Sequence, residues 1–440
     1  MLVSFSMRPA RLIPLAALVL ALAPLALVPG CGDDSATGGA GGAGGGGGGG
    51  PSEACEGVDT TGCTISLGPS DDVTNELQTA LIEAESGSTV CLCPGTYLFD
   101  NELQVNTPDL TIRGVGATRD DVVLDFANQI GGDDGLTATS DGFTVENLSV
   151  KNTTGNGIVA TGSDGVTFRN LKVWWDAGSV TENGAYAVYP ISSSNVLIED
   201  CEIVGAADAG VYVGQSTNII VRNNDVHANV AGIEIENSTD AEVYDNRAYD
   251  NAAGILVFAL PNLDKTDSLR CDVHDNEIYE NNRDNFGEEG TVVAAVPPGI
   301  GVLILAADET HVHDNTITDN VTGGVVMVSM ATLSLLVAPG EPDPDTDPDP
   351  ETTYIYANTF SGNGTDPSSP LDLVDVVPME DVLWDGVEKT DGSGDLCLSM
   401  TPPTFRNIHG VSNIANQANH TTDTTPHECD HTPLAPIVLE

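Results

Sequence analysis

Glycine recurs through the middle of the chain at positions 135, 157, 184, 210, 232, 254, 301 and 324, and each opens a short alternating apolar segment. These segments read LTAT, IVAT, AYAVYP, VYVGQS, IEIENS, ILVFAL, VLILAA and VVMVSM. Most intervals are 22 to 27 residues, and one is 47. A second family of segments follows them: TVENLSV, LIEDCEI, IVRNNDV, EVYDNRA, DVHDNEI, HVHDNTI and IYANTF. One such unit cannot bury its own apolar face, whereas stacked copies build a continuous core. A period of twenty-odd residues with two or three short strands per unit therefore predicts an all-β solenoid. The longer intervals are insertions between strands.

The second segment carries a polar position that must lie inside. Aligned on its first apolar residue, it holds Leu148, Leu171, Cys201, Asn224, Asn246, Asn276, Asn315 and Asn358 three places later. Asparagines on successive coils can pair their amides along the stack and so satisfy themselves while buried. This predicts a structural ladder of Asn224, Asn246, Asn276, Asn315 and Asn358. In the first segment Ala185, Val211, Ile233, Ile255, Val302 and Val325 form one inward row, and Ala187, Val213, Ile235, Val257, Ile304 and Met327 a second. Outward rows follow by alternation: Tyr186, Tyr212, Glu234, Leu256, Leu303 and Val326, then Val188, Gly214, Glu236, Phe258, Leu305 and Val328. An open end of a solenoid is an exposed sheet edge and needs a cap. Val73, Leu77, Ala80, Leu81 and Ala84 fall at helical spacing, which predicts a capping helix over residues 70–85 with Ser70 or Asp71 as N-cap.

The N-terminus reads as an address. Arg8 and Arg11 precede an apolar run from Leu12 to Val28, which ends at Val28-Pro29-Gly30-Cys31. That is the order of a secretory signal peptide, here residues 1–30. The terminal four residues resemble a bacterial lipobox, with Cys31 as the lipidated residue, although Pro29 departs from the usual small residue. Residues 31–52 are almost all small and include an unbroken glycine run from 44 to 50. Such a stretch is a flexible tether. The expected organisation is then a Cys-containing lead-in at 53–69, the solenoid at 70–361, and a tail at 362–440 packing on it. Eight cysteines remain beyond Cys31, in keeping with an exported compartment. Cys55, Cys63, Cys91 and Cys93 pair among themselves in one of three ways. Cys397 and Cys429 pair to close the tail, and Cys201 and Cys271 stay as buried thiols.

Composition removes several functions. The chain has 66 acidic and 14 basic side chains, a net charge of -52. Nucleic acid and anionic membrane surfaces are recognised by clustered Lys and Arg, which are absent. No cofactor motif is present. Calcium is the cation that the acidic run Glu341-PDPDTDPDP would take, and it would also be needed to bridge a polyanionic substrate. Two histidines, His274 and His313, share one outward position on successive coils, a place where a metal ion is conceivable but where other coils carry Glu, Arg and Tyr.

Several stretches resemble a known fold family. "ALIEAESGSTVCLCPGTY" and "LTIRGVG" are similar to the entry of right-handed parallel β-helix proteins of the pectin-lyase type. "NGAYAVYP", "AGVYVGQSTNIIVRNN", "VAGIEIENS" and "GGVVMVS" resemble a narrower group of exported bacterial parallel β-helix repeat proteins, often lipoproteins, of unassigned function. The resemblance spans residues 75–435. It implies a right-handed helix on the cell envelope, with the outer membrane as the expected address, and it supplies no catalytic residue. The Gly-His-Gly of polygalacturonases and the Asp-Pro-His-Asp of mannuronan epimerases are both missing.

The remaining functional signal is on the outward rows of the early coils. Tyr186 and Tyr212 are expected to stack about 4.8 Å apart. Glu234 and Glu236 lie two apart on one strand, about 7 Å between carboxyls, within the range of inverting glycosidases. Trp175 and Asp176 sit on the long turn before Gly184. Aromatic faces beside carboxylates hold sugar rings, so these six residues are the candidate carbohydrate site. The alternative is a non-catalytic envelope scaffold that docks another exported protein through the solenoid flank or its insertions, with the early coils plugged; the inserted segments 261–270, 283–298 and 330–351 are expected to cover the apolar strip of the later coils.

Overall fold

A computed structural model describes residues 55–336, 343–387, 396–399 and 404–439. The signal peptide, Cys31 and the tether lie outside these residues. Each coil contributes a strand to three parallel sheets in turn, for example Ile158–Thr161, Asp164–Arg169 and Lys172–Trp174. The sheets hold eleven, twelve and ten strands respectively, and neighbouring strands in each come from successive coils. This is a parallel β-helix somewhat longer than the about ten coils the repeats suggest. Its core is a continuous column of apolar side chains, running from Val73 and Tyr97 to Trp384 and Phe405.

The recurring glycines are explained by how closely coils approach. A Cβ on Gly232 would fall 2.5 Å from the Gly254 carbonyl oxygen, and one on Gly254 would fall 2.5 Å from that of Gly301. No side chain fits there. At the turn between the twelve- and ten-stranded sheets the asparagine ladder runs Asn224, Asn246, Asn276, Asn315, Asn358. Each Nδ2 donates to the Oδ1 of the next, at 2.9 to 3.0 Å. Each Oδ1 also accepts from the preceding backbone N–H, as from Asn224 N to Asn246 Oδ1 at 3.0 Å. A second ladder lies five residues on, through Asn229, Asn251, Asn281, Asn320 and Asn363. The sequence reading missed it.

Helix α1 spans Val73–Glu83 and covers the open end of the column with Val73, Leu77, Ala80 and Leu81. Its N-cap is Asp72, rather than Ser70 or Asp71, and it makes no side-chain cap bond. Instead Ser70 Oγ donates to Glu76 at 2.7 Å. The lead-in adds a strand, Ile65–Leu67, to the twelve-stranded sheet. It is bolted down by disulfides Cys55–Cys93 and Cys63–Cys91. Strands also continue beyond residue 361, at Val382–Trp384, Cys397–Ser399 and Phe405–Asn407, so the tail first extends the solenoid before it packs on it. Cys397 and Cys429 are bonded, and Cys201 and Cys271 are buried free thiols. The last residues cross the outside of the twelve-stranded sheet: Tyr354 donates to Asp430 at 2.7 Å, and Ile437 N to Glu242 at 3.2 Å.

Candidate functional site

The outer face of the eleven-stranded sheet carries the tyrosines and glutamates, in a register that differs from the expected one. Val188 pairs with Val211 and Ile191 with Gly214, which sets Tyr189, not Tyr186, level with Tyr212. Tyr186 pairs with Ala209. The reason is Ala187, which occupies the slot that Gly157, Gly210 and Gly232 fill in neighbouring coils. An alignment led by glycine slides to Gly184 there. Val188, placed outward by that alignment, is an inward core residue with 0 % exposure.

Three tyrosine rings nevertheless meet. Tyr186 lies 4.4 Å from Tyr212 and 4.6 Å from Tyr189, centroid to centroid, and Tyr189 meets Tyr212 edge-on at 5.1 Å. The Tyr212 ring folds across Gly214, where a Cβ would stand 2.5 Å from Cε1. Its hydroxyl donates to Glu236 Oε1 at 2.6 Å. Tyr186 hydrogen-bonds to Asp208, a half-buried carboxyl the sequence reading did not single out. Glu234 follows Tyr212 in the same row, and Glu236 follows Gly214.

Glu234 and Glu236 correct the expectation of a solvated pair held apart. They are 3 % and 8 % exposed, and their carboxyls hydrogen-bond to each other. One Glu234 oxygen, Oε2, is buried with no hydrogen-bond partner. Among the described residues, the charges that act on these carboxyls are those of one another. Burial, with the Glu236 charge second, raises Asp208 to about 7. Burial, then the charges of Asp208 and Glu236, pushes Glu234 well above the ordinary carboxylate range. Glu236 is raised by burial against the opposing pull of the Tyr212 and Glu234 hydrogen bonds. Burial also pushes up the Tyr186 and Tyr212 hydroxyls, and carries Tyr189 to about 12. The cluster therefore holds protons near neutrality, and an acid titrating there is suited to proton transfer.

The approach to the cluster is from the early coils. Gln104, Thr139 and Thr161 are exposed on the outer face, and Tyr186, Tyr189 and Asp208 are half-buried where that floor ends. Beyond them the face closes. Phe286 of the insertion 283–298 packs against the same apolar cluster as the tyrosines, and Thr181 of the long turn donates to its carbonyl at 2.8 Å. The later apolar row lies under the same insertion, helix α2 (Met330–Leu336) and Leu371, around a small apolar cavity of about 40 Å³.

The two other candidates of the early coils separate. Trp175 points into the core, 6 % exposed, with Nε1 donating to Thr153 O at 2.8 Å. It is unavailable to a ligand, because the strand Lys172–Trp174 turns Trp174 outward and the next residue inward. Asp176 is exposed on the ten-stranded side, away from the tyrosines. Its hydrogen bonds from Asn152, Lys151 and Trp174 hold it at about 2.

Cation sites were expected at the acidic run and considered at the histidines. Among the described residues one group has suitable geometry: carboxylate oxygens of Asp308, Asp347 and Glu351 lie within 4.8 Å of one another. Oxygen-only ligands of this kind suit calcium. His274 and His313 stack at 5.0 Å. Each places both ring nitrogens against carboxylates, Asp275 and Glu242 for the first, Asp314 and Asp272 for the second, so neither presents a nitrogen to a shared metal.

Among solved structures, the A-module of a mannuronan C-5 epimerase from Azotobacter vinelandii is 16% identical over 78% of this chain and 92% of its own, with a TM-score of 0.49. A DFA-IIIase from Arthrobacter chlorophenolicus is 12% identical over 77% of this chain and 99% of its own, at 0.46. A pectate lyase is 14% identical over 67% and 76%, at 0.39. The family described as a right handed beta helix region matches residues 134–265 and 176–335. With three all-parallel sheets stacked coil on coil over those same residues, the chain is a right-handed parallel β-helix protein.

Proposed function

We propose that the protein binds a carbohydrate on the outer face of its early coils, with the ligand lying over Thr139 and Thr161 and ending against Tyr186 and Tyr189. The observation that carries this reading is the junction of a half-open tyrosine wall with three carboxyls whose charges act on one another. Tyrosine rings offer an apolar face and a polar tip, which matches a sugar ring. The carboxyls behind supply acceptors and, through Asp208, a proton near neutral pH for any processing step. The charge of the chain and of this cluster favours a neutral glycan, or an anionic one bridged by calcium. A glycan array with and without calcium tests this. Binding that is lost in Tyr186→Ala/Tyr189→Ala supports it, and a parent protein that binds no glycan rejects it.

A second reading is a non-catalytic envelope scaffold that docks an exported protein. The burial of Tyr212, Glu234 and Glu236 favours it. An empty array together with a protein recovered on the solenoid flank would select it. In either case we infer a lipid anchor at Cys31 on an envelope membrane, the outer one by analogy with the resembled group; the lipobox-like sequence, the glycine tether and the three disulfides support this placement.

A further inference from the structure

The ten-stranded sheet has its own outward row, and it contains a gap. Register sets Lys151, Trp174, Val204, His227, Tyr249 and Tyr279 in line on successive coils. His227, Tyr249 and Tyr279 are stacked, at 5.0 Å and 17°, then 4.9 Å and 1°. Tyr249 therefore covers one face of the His227 imidazole, and the other face is turned towards Val204. On the far side of Val204 stands Trp174. Its indole is held by Nε1 donating to Asp176 at 2.9 Å, with the Lys151 and Lys172 ammonium groups 5.6 and 5.4 Å from the ring.

Trp174 and His227 are two coils apart, which is about 9–10 Å at the spacing of parallel strands. Aromatic contacts place ring centres about 4.5–7 Å apart, so the notch over Val204 admits one ring between the two aromatic side chains. A solvent-open cleft of about 490 Å³ coincides with this notch, lined by Trp174, Val204 and His227 together with Asp120, Lys172 and Glu202. Lys172 is paired to Glu202 at 2.9 Å, and Arg119 braces the other Glu202 oxygen at 3.1 Å. A fixed cation–carboxylate pair at the edge of an aromatic slot presents both donors and acceptors to adjacent hydroxyls.

We propose that this notch is a second binding site that takes one neutral pyranose ring, sandwiched between Trp174 and His227 over Val204, with its hydroxyls on Lys172, Glu202 and Asp120. It lies on a different sheet from the tyrosine–carboxyl cluster and does not depend on that cluster binding sugar.

The chain has three tryptophans, and Trp175 and Trp384 are 6 % and 1 % exposed, so ligand-induced changes in tryptophan emission report on Trp174. The full chain is titrated with neutral gluco-, manno- and galacto-configured oligosaccharides and, separately, with tyrosine amide. A saturable emission change is expected with at least one sugar. Val204→Phe, which fills the notch, and His227→Ala, which removes a wall, are each expected to weaken it at least tenfold. Tyr186→Ala/Tyr189→Ala is expected to leave it unchanged, so the two sites fail separately. Circular dichroism checks each variant, and if Val204→Phe does not fold, His227→Ala decides. The proposal is overturned if no sugar alters the emission, if the folded notch variants bind as the parent does, or if tyrosine amide alone saturates the site, which would mark it as a slot for a protein side chain.

Discussion

Glu234 shows what burial does to a carboxyl that has other carboxyls for neighbours. Its charged form is opposed by desolvation and by Asp208 and Glu236, so its folded pKa lies above its unfolded one. As pH rises the unfolded chain gives up this proton first. The contribution of this cluster to stability is therefore greatest below the ordinary carboxylate range and falls as pH climbs towards the folded values, about 7 for Asp208. Glu234→Gln keeps the shape and removes the charge. In urea unfolding at pH 8 it is expected to be more stable than the parent by about 1–3 kcal/mol, with a shallower loss of stability between about pH 4 and 7. Identical pH profiles for the two proteins would show that these carboxyls are not desolvated as described. The glutamates were visible in the sequence as outward residues. Their protonation was not, because alternation along a strand tells which face a side chain is on and nothing about what lies over that face.

A coil turn is held by its asparagines more than by local propensity. Asn246 accepts from the backbone and side chain of Asn224, and donates to Val221 O and to Asn276. Asn246→Ala leaves several buried groups without partners at once, and is expected to cost about 2–4 kcal/mol. A lowered urea midpoint with an unchanged slope would fit this; a loss below 1 kcal/mol would mean the ladder carries little of the turn. The second ladder was written in the sequence as an asparagine five residues after each of the first, from Asn229 to Asn363, and only the single-position alignment hid it. The charged row outside the twelve-stranded sheet was readable in the same way. Arg113, Glu146, Arg169, Glu199 and Arg222 alternate in sign along the axis and pair in sequence. What could not be read was the slip at Ala187, since one extra methyl in place of a glycine hydrogen erased the marker of the repeat in that coil.

For the whole molecule, a net charge of -52 and disulfide-clamped ends suit a domain displayed outside the cytoplasm. Replacing Cys31 tests the proposed anchor directly. Cys31→Ala is expected to move the protein from the membrane fraction to the soluble one, or to leave its precursor unprocessed, and to abolish incorporation of labelled fatty acid. Full membrane retention without lipid labelling would reject the anchor.

The repeat, read from the sequence alone, settled that this chain stacks coils, which side chains fill the column in every coil but the one at Ala187, and that asparagines line its turns. Those features follow from period and alternation, which each strand carries within itself. Tertiary structure alone decided where the functional surfaces lie. Insertions far apart in sequence, at the long turn before Gly184 and at 283–298, are joined at Thr181 and Phe286, and Val292 and Val296 of the second cover the later apolar row that alternation leaves open. One residue of parity sends Trp175 into the core and Trp174 to the surface. The notch between Trp174 and His227 exists because three coils, 53 residues of chain apart, are brought into line by backbone pairing, a distance no local pattern records.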